Sequence, residues 1–119
     1  MPNSQIVSDS DYSQMREISP QTASEMLQSA GECVLLDIRE PWELRISAIE
    51  GALHIPMQSV PDRLADLDPA VNVIVFCHHG ARSRMVAHFL EQNGYPRVFN
   101  LKGGIEAWAR EIDTNLATY

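Results

Sequence analysis

The run Val73-Ile74-Val75-Phe76 contains only β-branched and aromatic residues and stops abruptly at Cys77. Such an unbroken run suits a strand covered on both faces, whereas a strand with one wet face would alternate. His78-His79-Gly80-Ala81-Arg82-Ser83 then makes a short glycine-containing loop, and after Ser83 the pattern turns helical, with Val86, Phe89 and Leu90 on one face. The pattern predicts Cys77 at the C-terminal tip of a buried strand, with a helix N-terminus directly beyond it.

The rest of the chain repeats this alternation. Glu17-Ile18 is a short extended segment, and Ser19-Pro20 opens a helix with Ala23, Met26 and Leu27 as its buried stripe and Ala30-Gly31 as its end. Cys33 to Ile38 predicts a strand buried on both faces, and Arg39 to Leu44 a loop with a short helix starting at Pro41. Gly51 to Pro56 predicts a short strand closed by proline. Val60, Leu64 and Leu67 mark a helix stopped by Asp68-Pro69. After the central strand and its helix to Gln92, Asn93-Gly94 is a stop, Arg97 to Leu101 a last strand, and Gly103-Gly104 turns into a helix with Ile105 and Trp108 inward. Strands alternating with helices predict one α/β domain over residues 16–119, with a mainly parallel sheet flanked by helices on both faces. Residues 1–15, rich in Ser, Asp, Asn and Gln, are expected to form a flexible arm.

At 119 residues, 45% hydrophobic and 21% charged, the chain can bury roughly two-thirds of its unfolded surface in one core without staples. A net charge of −7 argues against nucleic acid or an anionic membrane as a partner. No apolar run is long enough to span a membrane and no secretory signal is visible, so a cytoplasmic, reducing location is expected. Of the two cysteines, Cys33 opens one strand and Cys77 ends another, which speaks against a disulfide. Cys33 is expected to be structural.

A thiol is a nucleophile only as its thiolate, which helix-start amides and a nearby cation stabilise. Gly80 frees the loop backbone, Arg82 adds a permanent charge, and Ser83 is a candidate cap for the following helix. A small buried hydrophobe at a strand end is the alternative role for Cys77. Asp37-Ile38-Arg39 also ends a strand, so the sheet topology can bring Asp37 and Arg39 to the same rim. His78-His79 is not expected to bind metal, because adjacent side chains usually diverge and no carboxylate or cysteine at ligand spacing completes a site.

Four stretches, in order, resemble the rhodanese family of sulfurtransferases and specifically its single-domain members. Leu36-Asp37-Ile38-Arg39-Glu40-Pro41-Trp42-Glu43 is similar to a D-x-R-x-x-x-E segment, and Gly51-Ala52-Leu53-His54-Ile55-Pro56 to G-A-x-x-I-P. Cys77 to Ser83 resembles the active-site loop C-x-x-G-x-R-S, and Leu101 to Trp108 the closing L-x-G-G-x-x-x-W. One departure stands out: Ser47-Ala48-Ile49 occupies the place where the family commonly has Gly-His-Ile, which bears on how the loop before Gly51 is held.

The resemblance implies that Cys77 takes a sulfur from thiosulfate or a similar anionic donor as a persulfide. It then passes that sulfur to cyanide or a thiol acceptor, such as thioredoxin or a sulfur-carrier protein. No metal and no organic cofactor are implied. His78, His79, Gly80, Ala81, Arg82 and Ser83 would wall the pocket, with Arg82 attracting the donor. Asp37 and Arg39 would support the loop, or else form a purely structural ion pair. For Arg82 the alternative is a surface charge or a salt bridge to Asp37 or Glu40. Related phosphatases and arsenate reductases need five residues between cysteine and arginine, and only four lie between Cys77 and Arg82. A non-catalytic binding or regulatory module on the same fold is the other alternative.

Overall fold

The apolar runs become the middle of a single sheet in the computed structural model, which describes residues 16–29 and 31–119. The expected arm, residues 1–15, and Ala30 lie outside the described residues. In chain order the elements are β1 (Glu17–Ile18), α1 (Pro20–Gln28), β2 (Cys33–Asp37), α2 (Pro41–Ile46) and β3 (Leu53–His54). A 3₁₀ segment (Met57–Asp66), β4 (Asn72–Phe76), α3 (Ala81–Gln92), β5 (Val98–Leu101) and α4 (Gly104–Glu111) complete the series. The strands lie in the order β1-β5-β4-β2-β3, and every neighbouring pair is parallel.

Strand periodicity then sorts the core into two layers. Val73, Val75 and Cys77 point to one face, where Val60, Leu67, Val86, Ala87 and Leu90 from the 3₁₀ segment and α3 cover them. Ile74 and Phe76 point to the other, against Ala23 of α1 and Ile105 and Trp108 of α4. Helical cover on both faces explains why β4 carries no alternating polar residues. Cys33 and Cys77 are both free, and they lie at opposite ends of the sheet, since Cys33 aligns with Asn72 at the start of β4. Among the described residues no helix is long and apolar enough to cross a membrane.

Several local boundaries differ from the sequence expectation, and the strand expected over Gly51 to Pro56 is only Leu53–His54. Helix α1 ends at Gln28, where Ser29 caps it, and so stops short of Ala30-Gly31. The segment expected as a helix from Val60 begins at Met57 as tight 3₁₀ turns with a kink at Arg63. Pro61 inside it has no N–H to give to an α-helical ladder, which favours the tighter winding. Helix α3 starts at Ala81, two residues before Ser83, with Gly80 in the left-handed region at φ 119° as its cap residue. Ser83 is therefore inside the helix and is not its cap.

Candidate active site

Strand β4 delivers Cys77 to the C-terminal edge of the sheet, where the residue is only 1% exposed. The chain then reverses within three residues. Gly80 makes this possible, because its φ of 119° is a conformation that side chains with a Cβ resist. The turn brings the Gly80 N–H to 3.1 Å from Cys77 Sγ, and the Ser83 N–H to 3.4 Å. The Ser83 hydroxyl lies 3.3 Å from the same sulfur. Two N–H donors from one loop thus converge on Sγ, with the Ser83 hydroxyl beside them able to turn its one proton to the sulfur, an arrangement that stabilises negative charge there.

The loop is held from outside by the start of α4. Ile105 N–H donates to the Cys77 carbonyl at 2.9 Å, and Glu106 N–H to the His78 carbonyl at 3.2 Å. N–H and C=O of a trans peptide point in opposite directions, so tying these carbonyls to α4 turns the amides of His78 and His79 away from it. Only glycine allows so close an approach: a Cβ on Gly104 would stand 2.3 Å from His78 O and 2.6 Å from Cys77 O.

Asn100, fully buried in β5, supports the loop from beneath. Its Oδ1 lies 2.5 Å from Ser83 Oγ, and its Nδ2 donates to Gly80 O at 3.2 Å and to Glu17 Oε2 at 3.1 Å. Ser83 has one hydroxyl proton and three acceptors within reach, Asn100 Oδ1, the Gly80 carbonyl and Cys77 Sγ. It bridges the Cys77 turn and β5 in place of the capping role expected of it.

A line of charged groups runs along the rim. Asp37 takes two hydrogen bonds from the Arg39 guanidinium, at 2.9 and 2.8 Å, and both residues are buried. Arg39 also donates to the Ser47 carbonyl at 2.8 Å, so the loop carrying Ser47-Ala48-Ile49 is clamped from below. Arg39 Nη1 donates to the Tyr119 hydroxyl at 2.9 Å, which donates to Glu43 Oε1 at 2.8 Å. Glu43 in turn accepts both Nη groups of Arg82, at 2.8 and 2.9 Å. The partner of Arg82 is therefore Glu43, and neither Asp37 nor Glu40. Burial works against the Arg39 charge, but hydrogen bonds to Asp37 and Tyr119 more than offset it and raise its pKa. Glu43 raises the pKa of Arg82 in the same way, and burial raises that of Tyr119.

The hydrogen bonds from Arg82 lower the Glu43 pKa from 4.5 to about 2, against its burial and with help from the Glu40 backbone and Tyr119. A carboxyl group depressed in the folded state stabilises the fold fully above its unfolded pKa and loses that contribution as pH falls through the folded value. Arg82 is 38% exposed, so solvent screening leaves this on the order of 2 kcal/mol. Urea unfolding of wild type should show the loss between pH 4.5 and 2, the window set by the two values. Glu43→Gln should flatten that limb relative to wild type. Parallel acid limbs would refute the assignment.

His78 and His79 do not diverge as expected. The turn at Gly80 stacks their rings at 3.8 Å, and Tyr119 stacks on the other side of His78 at 3.8 Å. Glu106 of α4, a carboxylate distant in sequence, brings an oxygen to 3.9 Å from His78 Nε2. Both premises used against a metal site at His78-His79 thus fail in three dimensions. Burial and the neighbouring His79 lower the pKa of His78. Ala81 is exposed and opens α3.

The residues brought together are Cys77 to Ser83 with the Asp37–Arg39 pair behind them. Four others went unassigned from sequence: Glu43, Asn100, Glu106 and Tyr119. Asn100 left a signal, a lone amide in the apolar run Val98-Phe99-Asn100-Leu101, and Glu43 stood inside the D-x-R-x-x-x-E segment. Tyr119 left none, since nothing local shows that it folds back onto Arg39.

Comparison with known proteins agrees with this architecture. A model of the rhodanese-like domain matches residues 19–111. A sulfurtransferase from Allochromatium vinosum is 40% identical over 96 residues, covering 81% of this chain and 90% of its own. The thiosulfate sulfurtransferase GlpE of Haemophilus influenzae is 42% identical over 104 residues, covering 83% and 95%. Among solved structures, a rhodanese-related protein from Thermoplasma volcanium aligns with a TM-score of 0.74 at 30% identity, over 82% of this chain and 93% of its own. On the span of that domain match and the coverage of these relatives, the chain belongs to the rhodanese-like domain family.

Proposed function

We propose that this protein is a sulfurtransferase that carries sulfane sulfur on Cys77. The observation that carries the proposal is the convergence of the Gly80 N–H, the Ser83 N–H and the Ser83 hydroxyl on Cys77 Sγ. Relatives named for this chemistry cover most of the chain, which supports the same reading. In the first half-reaction the Cys77 thiolate forms a bond to the outer sulfur of thiosulfate. The S–S bond of the donor breaks, and its electron pair leaves with sulfite. The enzyme holds a Cys77 persulfide anion, on which the loop donors can act as they did on the thiolate.

In the second half-reaction cyanide or a thiolate attacks the outer sulfur, and the electron pair returns to Cys77. Sγ is almost fully covered, which favours a slim anionic donor. The persulfide moves the reactive atom about 2 Å further out, the length of an S–S bond, which brings it toward a larger acceptor. A thiol such as that of thioredoxin or a sulfur-carrier protein is the acceptor class we assign. The reaction needs Cys77 reduced, as in the cytoplasm. The chain's own residues supply every group used in these steps.

Intact mass after incubation with thiosulfate tests the proposal. One extra sulfur atom per chain, lost on adding cyanide or a reducing thiol, is the expected result. A folded, reduced protein that gains no sulfur would be a binding module on this fold and would overturn it.

Arg82 is 38% exposed and tied to Glu43, so it contributes a partly neutralised charge at the pocket wall. Arg82→Ala should raise the KM for thiosulfate by roughly 10-fold while leaving kcat within a few-fold. It also leaves Glu43 buried without its partner, a destabilisation of about 2–4 kcal/mol. Adding Glu43→Gln should restore stability without restoring KM. Unchanged KM in both variants would remove Arg82 from donor binding.

A further inference from the structure

Outside the Cys77 chemistry, one cluster of side chains has no role in the proposed transfer. His78, His79 and Glu106 each offer a ligand atom, and these atoms all lie within 4.8 Å of one another. Among the described residues the buried His78 Nε2 has no hydrogen-bond partner, a costly state for a polar atom that a ligand would relieve. Its ring is sandwiched between His79 and Tyr119 at 3.8 Å on each side, which fixes where that nitrogen points. Glu106 is tied to the same place through its backbone N–H, bonded to the His78 carbonyl at 3.2 Å. The other Glu106 oxygen pairs with Arg110, exposed and 3.3 Å away on the next turn. Such a pair yields easily to a stronger partner.

We propose that His78, His79 and Glu106 form a binding site for a divalent cation of the Zn²⁺ type at the mouth of the Cys77 loop. Two imidazoles and a carboxylate are a donor set that suits zinc, and three protein ligands leave a fourth tetrahedral position open. Zinc–ligand bonds of about 2.0–2.2 Å put tetrahedral donors roughly 3.3 Å apart, so the widest pair of the cluster must close by up to about 1.5 Å. His79 is exposed and can supply most of that movement. A chain of net charge −7 also favours a cation over an anion at an uncommitted surface site. The site is separate from Cys77, whose sulfur is not among the clustered atoms.

Titration of Cys77→Ser protein with Co²⁺, followed by Zn²⁺ displacement, tests this with the nucleophilic thiol removed as a competing ligand. The expected result is one Co²⁺ per chain, with visible bands of a four- or five-coordinate nitrogen and oxygen site. His79→Ala and Glu106→Gln, both at exposed or half-exposed positions, should each weaken binding at least 10-fold while the fold stays intact by circular dichroism. No binding below about 1 mM Co²⁺, or equal binding in these two variants, would overturn the proposal.

Discussion

Cys77→Ser should remove sulfur transfer while leaving the fold in place. The hydroxyl that replaces the thiol keeps the same three neighbours, Gly80 N–H, Ser83 N–H and Ser83 Oγ, so the loop loses no anchor. It is a far weaker nucleophile at neutral pH, and a serine cannot carry sulfur as a persulfide. Turnover should fall on the order of 10³-fold or more, with no gain of mass after thiosulfate treatment. The unfolding midpoint should move little, because the donors that faced sulfur now face oxygen. Residual turnover within 10-fold of wild type would sink the persulfide route. A large loss of stability would mean that Cys77 serves mainly as core.

Gly104→Ala should be the most damaging single methyl group that can be added near the site. Its Cβ would stand 2.3 Å from the carbonyl oxygen of His78, and that obstacle is backbone, which cannot rotate away. The residue also sits at φ 61°, which a side chain disfavours. Overpacking and backbone strain together should cost about 2–4 kcal/mol. The only relief is to push α4 off the loop, which breaks the hydrogen bonds from Ile105 and Glu106 to the Cys77 and His78 carbonyls. Urea unfolding should therefore show the loss of stability, and thiosulfate turnover should fall in whatever protein remains folded. A variant as stable and active as wild type would mean that the loop does not depend on this close packing.

These two positions show what the sequence could and could not tell. Cys77 was identifiable because strand, turn and helix signals follow one another within ten residues, and each is local. The parallel, two-layered sheet was predicted from the same alternation of apolar runs and helical faces. Gly104 was visible only as a turn residue, since its close approach depends on a loop 26 residues earlier in the chain. Arg82 shows the same limit more sharply. Its charge was evident, but its partner was sought at Asp37 or Glu40, and the short helix α2 instead aims Glu43 at it. Periodicity places residues on faces. It does not rank carboxylates on one rim, and it cannot see Tyr119 returning to bridge Arg39 and Glu43.

The strand order has a kinetic consequence. β1 pairs with β5, so the first and last strands of the described sheet must meet, and β4 is flanked by β2 and β5. No two strands that are consecutive in sequence are paired except β2 with β3 and β4 with β5, and even these are parallel, so each requires a crossover. Ser83 has its Asn100 support, and Asn100 its Glu17 contact, only when nearly the whole chain is available. The Cys77 loop should therefore lack its β5 and α4 supports until those elements have formed. Topologies so rich in distant pairings fold slowly for their size. On the proposed route, capacity to take up sulfur should thus arrive last, and a thiosulfate-dependent gain of mass would then report the completion of folding.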